Sequence, residues 1–178
     1  TKKITSTQSS CDEINKLLKN FGFNNFSLQM LDDSGHYQIN RDDGSTAKKT
    51  LSEGEKTFLT FLYFFQLIKG GETVEFVSMD KVVVLDDPIS SLDSDVLFII
   101  STLTKSLYQG IAHDVGNLKQ LVILTHNIHF FIELTKLTYP WFKKNVSYYL
   151  VRKHSGVSCI SHKLDNPIKS SYENLWSE

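Results

Sequence analysis

Two short β-branched runs constrain this chain more than any other feature: Lys81-Val82-Val83-Val84-Leu85 and, further on, Leu121-Val122-Ile123-Leu124. Runs that are apolar at nearly every position, rather than at every second one, are typical of strands buried on both faces of a parallel sheet. Parallel neighbours need a crossover, and helical spacing from about Ser94 to Tyr108 supplies one. A right-handed crossover is the normal solution. The expected core is therefore an α/β layer with these two runs side by side. The residues that follow them, Asp86 and Asp87 after the first and His126 after the second, should gather at one edge of the sheet.

The flanks fill in the rest. Ser10-Cys11-Asp12-Glu13 fits a capping box, with Ile14, Leu17, Leu18 and Phe21 at helical spacing behind it. Phe26 to Met30 and His36 to Asn40 alternate like strands around Asp32-Asp33-Ser34-Gly35, a hairpin. From Ser52 to about Lys69 the pattern is helical and apolar on nearly every side, so that helix should be deeply buried. A further helix is expected from about Asn127 to Thr138. Val146–Val151 and Val157–Ser161 read as a closing hairpin over His154-Ser155-Gly156.

Composition excludes several classes. The 178 residues suit one domain, and 40% apolar with 22% charged residues is ordinary for a folded chain. With 19 basic and 20 acidic side chains the net charge is −1, so there is no global attraction to nucleic acid. Cys11 and Cys159 are too few for a disulfide framework or a zinc site and point to a reducing cytoplasm. The longest apolar stretch, Phe58 to Ile68, falls short of the roughly 18 residues a membrane span needs. The chain opens on Thr1-Lys2-Lys3 without Met and closes on Leu175-Trp176-Ser177-Glu178, which reads as a piece of something longer.

Three motifs carry chemistry. Leu51-Ser52-Glu53-Gly54-Glu55-Lys56 stands where a loop enters the buried helix. Ser52 offers a hydroxyl there and Gly54 an unobstructed amide, where the helix dipole favours an anion. The same residues also form a simple N-cap box, Ser52 with Glu55. In the second motif, Asp86-Asp87-Pro88 ends the first buried strand and runs into Ile89-Ser90-Ser91-Leu92-Asp93. Open α/β sheets bind ligands at such strand ends. Two adjacent carboxylates suit a hard cation such as Mg²⁺ held partly through water, or else a solvated turn. The third, Leu124-Thr125-His126-Asn127, puts an imidazole where it can hydrogen-bond a phosphate oxygen or orient a water. His129 follows, but no third ligand stands at zinc spacing.

Read together, these residues resemble the C-terminal portion of an ABC-type ATPase head, a P-loop NTPase with a parallel-sheet core, flanking helices and a terminal β-hairpin. Leu51 to Glu55 matches the signature motif, Val82 to Asp87 the Walker B strand, Ser91-Leu92-Asp93 the D-loop and His126 the switch histidine. The wording of these motifs, and the ending Asn166-Pro167-Ile168 through Tyr172 to Leu175-Trp176, is similar to the soluble ATPases that include the PrrC and RloC anticodon nucleases. The resemblance covers Leu51 to the end. It implies ATP, with GTP as the alternative, and Mg²⁺ supported by Asp86, with Asp87 polarising the attacking water and His126 at the γ-phosphate. Ser52, Gly54 and Glu55 would serve the nucleotide on a second copy in a head-to-tail homodimer, with Asp93 at the seam. Such heads usually carry Glu where this chain has Asp87, one methylene shorter.

A P-loop, G-x-x-x-x-G-K-[ST], is absent; Gly44 to Lys49 lacks the second Gly and the Ser/Thr after a Lys. Residues 1–178 are therefore expected to form one partial domain, completed by an N-terminal P-loop lobe of the same protein. The implied function is ATP-driven closure that gates an effector such as a tRNA anticodon nuclease in phage defence. The alternative is a nucleotide-gated DNA-repair or SMC/RecF-like head acting mainly as a binding module. RNA or DNA would be reached through the whole protein, and no membrane partner is expected. Tyr139-Pro140-Trp141-Phe142-Lys143-Lys144 mixes aromatics and base, which suits either a single-strand surface or rings packed on the core.

Overall fold

The computed structural model describes residues 2–31, 36–47, 50–69, 79–89, 94–136 and 140–168. It divides into two compact units, Thr1–Phe130 and Phe131–Glu178. The first holds α1 (Lys2–Asn20), β1 (Phe26–Met30), β2 (Tyr37–Arg41), α2 (Glu53–Lys69), β3 (Lys81–Asp86), α3 (Ser94–Ala112) and β4 (Leu118–Leu124). Helix α4 (Ile128–Thr135) follows, and the second unit continues with α5 (Pro140–Asn145), β5 (Tyr148–His154) and β6 (Val157–Lys163).

Helix α1 starts well before Ser10, so the expected capping box lies inside a helix. The Gln8 amide donates to Asp12 Oδ1 at 2.8 Å, an i,i+4 pair that carries the helix through the polar stretch. Cys11, Ile14 and Leu18 form its buried stripe. Burial pushes the Cys11 thiol up, and the neighbouring Asp12 charge adds to that. The C-terminus closes as a Schellman turn. Phe23 N–H donates to the Leu18 carbonyl and Gly22 N–H to the Lys19 carbonyl, with Gly22 at φ +80°. That turn swings the Phe23 ring to 4.7 Å from Phe58 on α2.

The β1–β2 hairpin pairs antiparallel from Phe26 opposite Arg41 to Met30 opposite Tyr37. Its expected turn, Asp32 to Gly35, lies outside the described residues. Asn15 of α1 fastens the hairpin. Its Nδ2 donates to the Leu28 carbonyl and its Oδ1 accepts from Leu28 N–H, both at 2.8 Å. Asn15→Ala leaves both Leu28 groups without these partners and should cost about 1–3 kcal/mol. The check is a urea melt: a lower midpoint at unchanged slope supports the clamp, and an unchanged midpoint refutes it.

β3 and β4 are adjacent and parallel, from Lys81 opposite Leu118 to Asp86 opposite Leu124, with an irregularity after Lys81. Helix α2 buries Phe58, Leu59, Phe61, Leu62, Phe65 and Ile68, as its all-round apolar pattern requires. Lys81 Nζ donates to the Ile68 carbonyl at the end of that helix. One expectation fails. β3 is not covered on both faces: Val83 and Leu85 are buried, whereas Val82 is 64% and Val84 53% exposed. Leu124 on β4 is half-exposed too. Among the described residues the helices cover one face of the pair, and the other face leaves Val82, Val84 and Leu124 exposed.

In the second unit β5 and β6 pair antiparallel, from Tyr148 opposite Lys163 to His154 opposite Val157. Ser155 and Gly156 both adopt positive φ, the requirement of a two-residue hairpin turn matched to strand twist. Phe142 of α5 is buried, while Tyr139 lies outside the described residues.

Candidate functional site

The first unit holds two clusters of the residues singled out by sequence. One sits at the C-terminal ends of β3 and β4. Asp87 N–H donates to the Leu124 carbonyl at 2.8 Å, extending the ladder one residue past Asp86. His126 Nδ1 then lies 2.7 Å from Asp87 Oδ2. An ionised carboxylate can only accept, so Nδ1 carries the proton and Nε2 is left for another partner. The imidazole is 82% exposed, while Asp87 is 35% exposed, so the pair presents the ring outward from a partly sunken carboxylate.

Asp87 has φ +47°, in the left-handed region where a side chain other than Gly's costs about 1 kcal/mol or more. The Leu124 and His126 contacts hold it there. Its other oxygen, Oδ1, is buried without a hydrogen-bond partner among the described residues. Such an orphan acceptor fits a donor supplied by a ligand or ligand-bound water. Asp86, next to it, is exposed at the strand end. Among the described residues no group of three or more His, Cys, Asp or Glu could hold a metal. The exposed Asp86 carboxylate is a hard oxygen donor of the kind Mg²⁺ takes when it keeps most of its waters.

Helix α4 begins just beyond. Asn127 caps it, accepting from Phe130 N–H at 3.1 Å, while Asn127 N–H donates to Thr125 Oγ1. These bonds fix the backbone on the C-terminal side of His126, and the fully buried Phe130 anchors the turn.

The second cluster stands where α2 begins. Ser52 and Glu55 form a reciprocal capping box: Ser52 N–H donates to Glu55 Oε2 at 2.7 Å, and Glu55 N–H to Ser52 Oγ at 3.2 Å. The cap uses Ser52 Oγ as an acceptor only, so its O–H remains able to donate. Ser52 is exposed and Leu51 is buried beneath the loop. The cap reading and the ligand reading of this motif are therefore compatible.

Glu55 also engages a residue that the sequence reading passed over. Arg41, at the end of β2, lies 3.6 Å from Glu55 Oε1. Its guanidinium donates to the Thr50 carbonyl at 2.9 Å and to Thr50 Oγ1 at 3.3 Å. No local pattern links positions 41 and 55, which lie on β2 and α2. Asp93 lies outside the described residues, as does the stretch from Tyr172 to Trp176.

A parallel strand pair with acidic residues and a histidine at its ends, packed on helices, has the α/β architecture of a P-loop NTPase. The chain belongs to the AAA domain family AAA_13, whose match spans residues 1–178. A solved chain from work on ATP-driven dimerization and DNA-stimulated activation of SMC ATPases shares the fold. It superposes with a TM-score of 0.59 at 14% identity, covering 90% of this chain and 86% of that one. Among curated proteins, the uncharacterized chromosomal cassette SCCmec type IVc protein CR006 of Staphylococcus aureus (strain MRSA252) is 29% identical over 132 residues. That match takes in 72% of this chain and 17% of the relative's length. Among the described residues no helix is long and apolar enough to cross a membrane.

Proposed function

We propose that this chain is the signature-bearing part of an ABC-type ATPase head, working as a head-to-tail homodimer with ATP and Mg²⁺ between two copies. The observation that carries this reading is the 2.7 Å contact of Asp87 with His126 at the ends of adjacent parallel strands. Asp86 supports Mg²⁺ through water, Asp87 polarises the attacking water, and the Nε2 of His126 meets the γ-phosphate. Mg²⁺, when bound, neutralises charge on the phosphates. Ser52 and Gly54 meet the nucleotide of the other copy, and Asp93 stands at the seam. Because the donors are divided between two chains, turnover depends on closure.

The 178 residues contain no P-loop, so the main phosphate cradle belongs to another segment of the same protein. The exposed Val82, Val84 and Leu124 give that segment an apolar face to cover. Closure gates an effector, foremost a tRNA anticodon nuclease of the PrrC/RloC kind. A second reading, a DNA-repair or SMC/RecF-like head, is favoured by the shared fold with an SMC ATPase chain. Calorimetric titration of these 178 residues with Mg-ATP should show binding no tighter than about millimolar, or about 4 kcal/mol. Submicromolar binding would place the phosphate cradle within this chain and sink the divided-head reading.

A further inference from the structure

We infer that Arg41 is a positioning residue of the composite site: it neutralises Glu55, so that a carboxylate can brace a loop which faces phosphate. The inference rests on the proposed role of Ser52 and Gly54 toward the other copy's nucleotide. In that arrangement a carboxylate sits one residue from Gly54, where an approaching γ-phosphate would meet like charge. Juxtaposed like charges at an interface are strongly unfavourable. The structure deals with this at both carboxylate oxygens. Oε2 is occupied by Ser52 N–H at 2.7 Å, and Oε1 faces the Arg41 guanidinium at 3.6 Å.

The pair is sheltered, at 24% exposure for the Arg41 side chain and 19% for Glu55, so solvent screens it less than a surface ion pair. Arg41 is itself held from three sides. It donates to the carbonyls of Thr50 and Asn25 and lies over the Phe26 ring. A guanidinium so fixed ties the hairpin β1–β2 to the residue just before the signature loop. Glu55 is then a brace for Ser52 and no ligand of the nucleotide, and Arg41 sets both the charge and the position of that brace.

The test uses the full-length protein and reads ATP-driven dimerisation and monomer ATP affinity separately. Arg41→Gln should weaken dimerisation about tenfold or more while monomer affinity for Mg-ATP stays unchanged. Adding Glu55→Gln should restore dimerisation, because a Gln oxygen still accepts from Ser52 N–H and position 55 no longer carries a charge without its cation. A purely architectural Arg41 predicts the opposite: the double variant stays as defective as Arg41→Gln. If Arg41→Gln does not fold, Arg41→Lys provides the second arm. It keeps the charge and should dimerise within a few-fold of wild type, whereas a tenfold loss there overturns the charge argument. Normal dimerisation of Arg41→Gln overturns the inference alone. A wild-type protein that never dimerises with ATP overturns the underlying functional reading with it.

Discussion

Asp87→Asn in the full-length protein is expected to slow ATP hydrolysis by about 10² or more and to let closed dimers accumulate in ATP. The substitution is nearly isosteric. An Asn oxygen can still accept from His126 Nδ1, and the backbone bond from residue 87 to the Leu124 carbonyl is untouched. Asn also tolerates the left-handed φ of +47°, so the turn should persist. What disappears is the negative charge and any ability to take a proton from water. Binding steps therefore survive while the chemical step fails, and that combination drives accumulation of the closed state. Phosphate release and gel filtration with ATP measure the two halves. Full hydrolysis would show that Asp87 only fastens His126. Loss of dimers would show that the charge is needed for closure itself.

Much of this arrangement is legible in the sequence because the signals are local and strong. The β-branched runs fix two adjacent strands, and two parallel strands joined by a helix leave few alternatives for where Asp86, Asp87 and His126 end up. Other features escape for physical reasons. Ser10 to Glu13 look like a helix start, yet the helix is already formed there, and a side-chain pair between Gln8 and Asp12 spans the expected boundary. The apolar run 82–85 of β3 is covered on one face only, because a residue pattern records what a strand can bury, whereas the described helices pack on one side. The left-handed turn at Asp87 is held by its N–H bond to the Leu124 carbonyl of β4, a long-range cause with no sequence mark of its own. Arg41 is the clearest case. Its partners Asn25, Thr50 and Glu55 are scattered along the chain, and only the folded arrangement makes them one cluster.

Mixing two inactive variants should restore activity, and this result tests the divided site most directly. Ser52→Arg places bulk and positive charge at the loop that, in the proposed arrangement, faces the partner's nucleotide. It also removes the hydroxyl oxygen that accepts from Glu55 N–H, a cap worth about 1 kcal/mol, while the Ser52 backbone bond to Glu55 remains available. The expected phenotype is a folded monomer with near-normal ATP binding and no ATP-driven dimer. Ser52→Ala controls for the lost cap, since it carries that cost without the bulk. In the proposed arrangement Ser52 and Asp87 serve different nucleotides, so the two lesions separate in a mixed dimer. One composite site then contains both Ser52→Arg and Asp87→Asn, and the other contains neither. Hydrolysis should therefore reappear on mixing, rising with the fraction of mixed dimers, although neither variant turns over alone. If subunits demonstrably exchange and no activity returns, either the sites are not shared between copies or both must fire together. A dimer tethered by a linker, carrying both substitutions in one half only, distinguishes these. There the two lesions fall in different sites and both should be dead, whereas one substitution in each half leaves one site intact.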